Sequence, residues 1–181
     1  MNYLELYQET ISKLKRNERP LIKLNKELIE HLRVEWLKAL KGPKIDHEAL
    51  KRILCILDNT QNMSNQFNEF FFMTLAQIDD VQLLIFTLAS SQKHVIAEAL
   101  KSGEMIPEIY FDELKKLLRH KNPEVLEWTL RTIDCLGPLS LRLKKEVRKL
   151  RPGLKIFYNK HQQASFQIIE QLERQWEMMR L

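Results

Sequence analysis

Between Arg142 and Lys160 the chain sets Arg142, Lys144, Lys145, Arg148, Lys149, Arg151, Lys155 and Lys160 against a single acid, Glu146. The chemistry open to such a run is recognition of negative charge. Cations three and four residues apart on a helix repel one another, and phosphates or acidic side chains would relieve that repulsion. Read as a helix opened by Ser140, the segment aligns Lys144, Arg148 and Arg151 in one row and Lys145 with Lys149 in the next. Leu139, Leu143, Val147 and Leu150 then face inward. Arg142, Lys144, Lys145, Arg148, Lys149, Arg151 and Lys155 form a candidate partner-binding ridge. An acidic protein surface is the first partner expected there, nucleic acid the second and an anionic membrane the last. The plain alternative is a solvated face, or one neutralised within the protein. Phe157, Tyr158 and His161 follow the ridge and could stack on bases, but no ribonucleoprotein-type aromatic motif and no zinc-finger spacing accompanies them.

No other constellation points to a reaction. His31, His47, His94, His120 and His161 are scattered without an HExxH arrangement, so no set of metal ligands converges locally. Asp79 and Asp80 are neighbours, and neighbouring helical residues do not face one another; helix capping is their expected role. There is no glycine-rich phosphate loop. Cys55 and Cys135 make no CxxC pair and lie in apolar patterns, which reads as two reduced core thiols and suits a cytoplasmic protein. The expectation is therefore a chain that is not an enzyme, with no catalytic residues, no cofactor and no metal. The enzymatic alternative requires a site assembled from distant segments.

The charge is unevenly distributed. Residues 1–90 hold 12 Lys and Arg against 12 Asp and Glu, whereas residues 91–181 hold 17 against 12, so the whole net charge of +5 lies in the second half. With 181 residues, 44% of them hydrophobic, the chain has enough apolar material for one domain, 1–181. The amino terminus shows no basic region followed by an apolar core, and the apolar neighbourhood 81–89 is too short to cross a bilayer as a helix.

Only four glycines interrupt long stretches of Leu, Lys, Glu, Gln and Ile, which predicts an all-α fold. Spacings of three and four predict amphipathic helices over 2–17 and from Pro20 to about Lys41, the latter with a stripe of Leu21, Leu24, Leu28, Leu32, Trp36 and Leu40. Asp46 is placed to cap a third, Asp79 or Asp80 a fifth over 81–89, and Asn122 before Pro123 opens another over 124–136. Between them Phe67, Phe70, Phe71 and Leu75 supply packing for a fourth. Phe70, Phe71, Phe72 and Met73 cannot share one helix face, so at least one is expected to be exposed or covered by another element, and a homo-oligomer contact there is conceivable. Trp128 reads as core, and Trp176, beside Met178 and Met179, as an exposed contact. Residues 154–181 predict one helix or two.

The stretch from Leu117 through Asn122-Pro123-Glu124 to Leu136-Gly137 resembles a HEAT-type helical repeat, in which two antiparallel helices flank an Asn-Pro-Glu turn. The resemblance covers about residues 108–137, one unit, and Asp79-Asp80-Val81 is at most a degraded equivalent of the turn. It implies antiparallel helix pairs stacked as a short solenoid, because one pair cannot bury its own apolar face. A compact irregular helical bundle is the alternative. HEAT-like proteins are mostly scaffolds for proteins or peptides, with some that hold nucleic acid, so the resemblance implies a non-enzymatic adaptor and an exposed surface.

Overall fold

Helices form where the sequence supplies both an amphipathic period and a cap. The computed structural model describes residues 3–150 and 159–179, and among them the fold is all-α with no strand. The residues gather into two compact units, Met1–Met105 and Ile106–Leu181, each with its own core.

The first unit begins with α1 (Tyr3–Lys15), α2 (Lys26–Lys41) and α3 (His47–Asp58). The expected start of the second helix at Pro20 is corrected: 20–25 is extended. Asn25 caps α2 by accepting from the Leu28 amide. The extended segment is held by Ile22 N–H donating to Asn59 O, and by Asn62, whose side chain accepts from Leu24 N–H and donates to Leu24 O. Those bonds leave Leu21 62% exposed, off the predicted stripe. Asp46 caps α3 as expected, through the Ala49 amide.

A 3-10 turn, Asn65–Phe67, leads into α4 (Asn68–Gln77), and Asp80 caps α5 (Val81–Ser91) through the Leu83 amide. All three phenylalanines of the Phe70-Phe71-Phe72 run are buried, so other elements cover the faces of α4 that carry them, while Glu69, Ala76 and Gln77 stay exposed. Instead of stopping, α5 passes through a π turn, Gln92–Ala97, into α6 (Glu98–Ser102), which ends at Gly103 with φ +73°. Glycine adopts that left-handed backbone without the steric cost a β-carbon brings.

Within this unit alternate helices run parallel. Along α2 and α4, Arg33 lies over the Phe70 ring and Trp36 Nε1 donates to Thr74 Oγ1 at 2.9 Å. Along α3 and α5, His47 faces Asp80, the Leu54 carbonyl accepts from Ser90, and the Leu57 carbonyl meets His94. The core is centred on Trp36, Phe67, Phe71, Leu50, Ile53 and Leu88.

The second unit starts with α7 (Glu108–Leu117) and α8 (Pro123–Cys135). Asn122 closes the turn between them by accepting from both the Glu124 and Val125 amides, at 2.9 and 3.3 Å, with Pro123 in the first turn. Asn122→Ala should therefore cost about 0.5–2 kcal/mol in urea unfolding, the usual range for an amino-terminal cap. Phe111, Leu114, Leu117, Val125, Leu130, Ile133 and Leu136 are buried, whereas Ile109 is 51% exposed. The chain continues as a 3-10 helix, Gly137–Leu143, then α9 (Lys144–Arg148) and, after the residues outside the description, α10 (Lys160–Met178), a single helix capped by Asn159. This α10 runs parallel to α8: His161 meets Glu127 at one end, and Gln171 and Gln175 both donate to Asp134 at the other.

Of the two tryptophans of this unit, the one expected as an exposed contact is the more deeply buried. Trp176 is fully buried, with its Nε1 donating to Ser140 Oγ at 2.7 Å, while Trp128 is half-buried. The Met pair near Trp176 is exposed, so proximity in sequence to exposed residues misplaced a side chain that points the other way round the helix.

Candidate partner-binding surface

The basic segment is not one continuous α-helix. Gly137, at φ +56°, lets the chain leave α8 and turn, and Pro138 holds the start of the 3-10 helix. Ser140, expected as a cap, instead donates to Gly137 O and accepts from Trp176, which fastens the turn to α10. Leu143 and Val147 are fully buried and anchor the two halves. Leu139, expected inside, is on the surface with Leu141.

The cations divide by what they touch. The Arg142 guanidinium lies 3.9 Å from the centroid of the Phe111 ring and forms an ion pair with Glu108 of α7. Lys144 Nζ sits 5.7 Å from the Trp176 ring, and Arg148 Nε is 3.6 Å from Glu173 on α10. These three fasten the segment to its own unit. Lys145 and Lys149 are exposed and enter no ion pair among the described residues. Together with Leu141, Arg142, Lys144 and Arg148 they line a shallow open hollow. Arg151 and Lys155 lie outside the described residues, as do Phe157 and Tyr158. The uniform ridge read from spacing is thus sharpened to two lysines beside a surface leucine, flanked by two arginines already paired with carboxylates. A cation with a neighbouring carboxylate offers less net field to a ligand, so Lys145 and Lys149 carry most of what this face can present.

Distance in sequence hid a second polar cluster. Glu127, almost wholly buried on α8, accepts from Arg131 Nε and Nη2 at 2.9 and 2.6 Å through one carboxylate oxygen. His161 Nδ1 stands 2.7 Å from the other oxygen. Only the helical Glu127 and Arg131 spacing was visible in one dimension; His161 is 34 residues away. A carboxylate-oriented imidazole is half of a nucleophile-activating pair. Ser165 lies one turn beyond His161 on the same helix. Its hydroxyl is fully buried and has no hydrogen bond, to His161 or elsewhere, so it is not an activated nucleophile. The cluster pins α10 to α8.

The remaining titratable groups read as structural. His94, in the π turn, is fully buried and stacks on Phe71 with its edge toward Phe67. Nδ1 accepts from the Ser64 amide at 3.2 Å, so the ring proton is on Nε2, which faces Leu57 O at 3.1 Å. Lys93, alongside, donates to Thr60 O and Oγ1, and burial lowers its pKa against the raising influence of Asp58. The two cysteines form no disulfide, and neither is the core residue expected: Cys55 is half-buried and Cys135 lies at the surface. Partial burial of each thiol, and then the charge of Asp58 or Asp134 beside it, holds both above the ordinary thiol pKa. Fewer thiolates make poorer nucleophiles. Among the described residues, no three side chains of His, Cys, Asp or Glu come together as a metal site, and no helix is long and apolar enough to cross a membrane. Comparison of the chain with family models, with curated proteins and with solved structures finds no match.

Proposed function

We propose that the chain is a non-enzymatic adaptor that binds an acidic protein segment through the basic face of its second unit. The observation that carries this reading is the pair Lys145 and Lys149, exposed and without an ion pair among the described residues, beside the surface side chain of Leu141. Positive charge around an apolar side chain fits an acidic peptide with one hydrophobic anchor: the charges steer and orient it, and the anchor adds buried apolar area. Phe111 and Trp176 under Arg142 and Lys144 brace the surface, which lessens the ordering cost of binding.

We infer further that the helix pairs stack in HEAT-like fashion. Support comes from the parallel courses of α2 with α4, α3 with α5, and α8 with α10. It also comes from the recurrence of inter-helix hydrogen bonds at sequence separations of 38, 36 and 37 residues, at Trp36 with Thr74, Leu54 with Ser90 and Asp134 with Gln171. Stacked pairs of about that length produce this pattern. Two cysteines that form no disulfide fit a cytoplasmic location.

The test is an anisotropy titration of a labelled Asp- and Glu-rich peptide carrying a single leucine. Changing Lys145 and Lys149 together to Glu should weaken binding about tenfold or more, roughly 1.4 kcal/mol. Equal affinity of the wild type and the double variant removes the reading. A single-stranded oligonucleotide titrated at several salt concentrations is the control. If it binds with a steep salt dependence while the peptide does not, the face is a nucleic-acid surface instead.

A further inference from the structure

The outward face of α2 carries a pattern unrelated to the basic surface. Opposite the buried Leu32, Trp36 and Ala39, the helix presents Glu27, Glu30, Val34, Leu37 and Lys41 at successive steps of three, four, three and four, with Lys38 adjoining. Those steps keep one line of side chains on one face. Val34 is 49% and Leu37 37% exposed, and with Lys38, Lys41 and Gly42 they line a shallow apolar hollow. Single exposed apolar residues are ordinary. Here two of them sit at the middle of a helix whose exposed face carries Glu27 and Glu30, beside Lys26, toward its amino-terminal end and Lys38 and Lys41 at its carboxyl-terminal end.

We propose that two copies of the chain associate through this face, α2 against α2, antiparallel about a two-fold axis at Val34. The order of the charges selects that occupant. In the antiparallel arrangement Glu27 meets the partner's Lys41, Glu30 meets the partner's Lys38, Val34 meets the partner's Val34, and Leu37 lies against the partner's His31. Each contact except the Val34 pair on the axis occurs twice, as a two-fold interface requires. A parallel arrangement in register would set Glu27 on the partner's Glu27 and Lys41 on the partner's Lys41, and a ligand of one sign would be repelled at one end. Antiparallel helix dipoles also attract.

Glu27 and Lys41 enter no ion pair among the described residues and are available as they stand. Glu30 and Lys38 are held by Arg33 and Glu35 within the helix, so their exchange to the partner adds little and the outer pairs dominate. A contact along one helix of 16 residues, about 24 Å, buries less than the roughly 1,200 Å² of a standard interface. The dimer is correspondingly weak, forming above roughly 0.1 mM and broken by salt.

Sedimentation equilibrium of the full chain from 10 µM to 1 mM, at low and at high salt, tests this. The wild type should show a salt-sensitive monomer–dimer equilibrium. Glu27→Lys and Lys41→Glu should each weaken it at least tenfold, because both outer pairs become like-charged. An equimolar mixture of those two variants should regain dimers, now hetero-dimers, since one copy is then basic at both outer positions, 27 and 41, and the other acidic at both. Val34→Asp, at an exposed position that folding does not depend on, should abolish association. A wild type that stays monomeric to 1 mM overturns the proposal, as do single reversals that change nothing or a mixture that fails to recover dimers. Matching circular dichroism spectra establish that each variant is folded.

Discussion

Trp36→Ala should destabilise the first unit by about 3–5 kcal/mol, the largest single effect we expect from any substitution in the chain. The indole is fully buried among Phe67, Phe70 and Phe71, with ring centroids 6.2, 5.7 and 5.0 Å away and the Phe71 ring edge-on. Truncation loses the transfer energy of a large side chain and leaves a cavity that four converging helices and turns cannot close. It also removes the Nε1 donor to Thr74 Oγ1. Thr74 keeps its own bond to Phe70 O, so the polar loss is one acceptor left empty and not a stranded donor. Urea unfolding followed by far-ultraviolet circular dichroism measures the change. A cost near 1 kcal/mol would mean that the aromatic cluster is loosely packed.

Acidification should weaken the same unit through His94. Burial, aided by the neighbouring Lys93 charge and opposed by the bond to Leu57 O, pushes the imidazole down from 6.5 to about 4. Because the folded value lies below the unfolded one, the unfolded chain takes up the proton first as pH falls. Stability from this group is therefore complete above about pH 6.5, is lost progressively on the way down to about pH 4, and changes no further below that. The loss comes to about 3 kcal/mol. His94→Phe should flatten the profile in that window while lowering stability at pH 7, since the Ser64 amide loses the acceptor it has in Nδ1. Unfolding free energies at pH 7, 5.5 and 4 for both proteins decide it; equal slopes would place the titration elsewhere.

What was legible in the amino-acid sequence followed from local physics. Three caps were visible because cap chemistry is confined to three or four residues: Asp46, Asp80 and Asn122 all accept the amides expected of them, whereas Asn25 and Asn159 were missed and Ser140, read as a cap, bonds elsewhere. The helical period placed Leu32, Trp36 and Leu40 of α2 in the core for the same reason. Misreadings arose where a tertiary partner decided. The extended course of 20–25 depends on Asn59 and Asn62, some 38 residues away, and nothing in its own composition announces them. Trp176 is drawn inward by Ser140, 36 residues earlier. The basic ridge was found as a segment, but spacing alone could not reveal that Glu108 and Glu173 stand beside Arg142 and Arg148 and leave Lys145 and Lys149 as the exposed charges. The Glu127 and His161 pair was invisible on the same ground.

The regular separation between partner residues also bears on how the chain is made. Closing a loop of about 36 residues costs roughly 1 kcal/mol less than closing one four times as long, so no helix needs to wait for a remote segment before it gains a neighbour. At a synthesis rate of roughly 5 to 20 residues per second, the partner of Trp36 or Leu54 follows about 2 to 7 s behind it. Apolar faces as sticky as those of α3 and α4 are thus left uncovered on the ribosome for seconds only, which limits the time in which a nascent chain can aggregate.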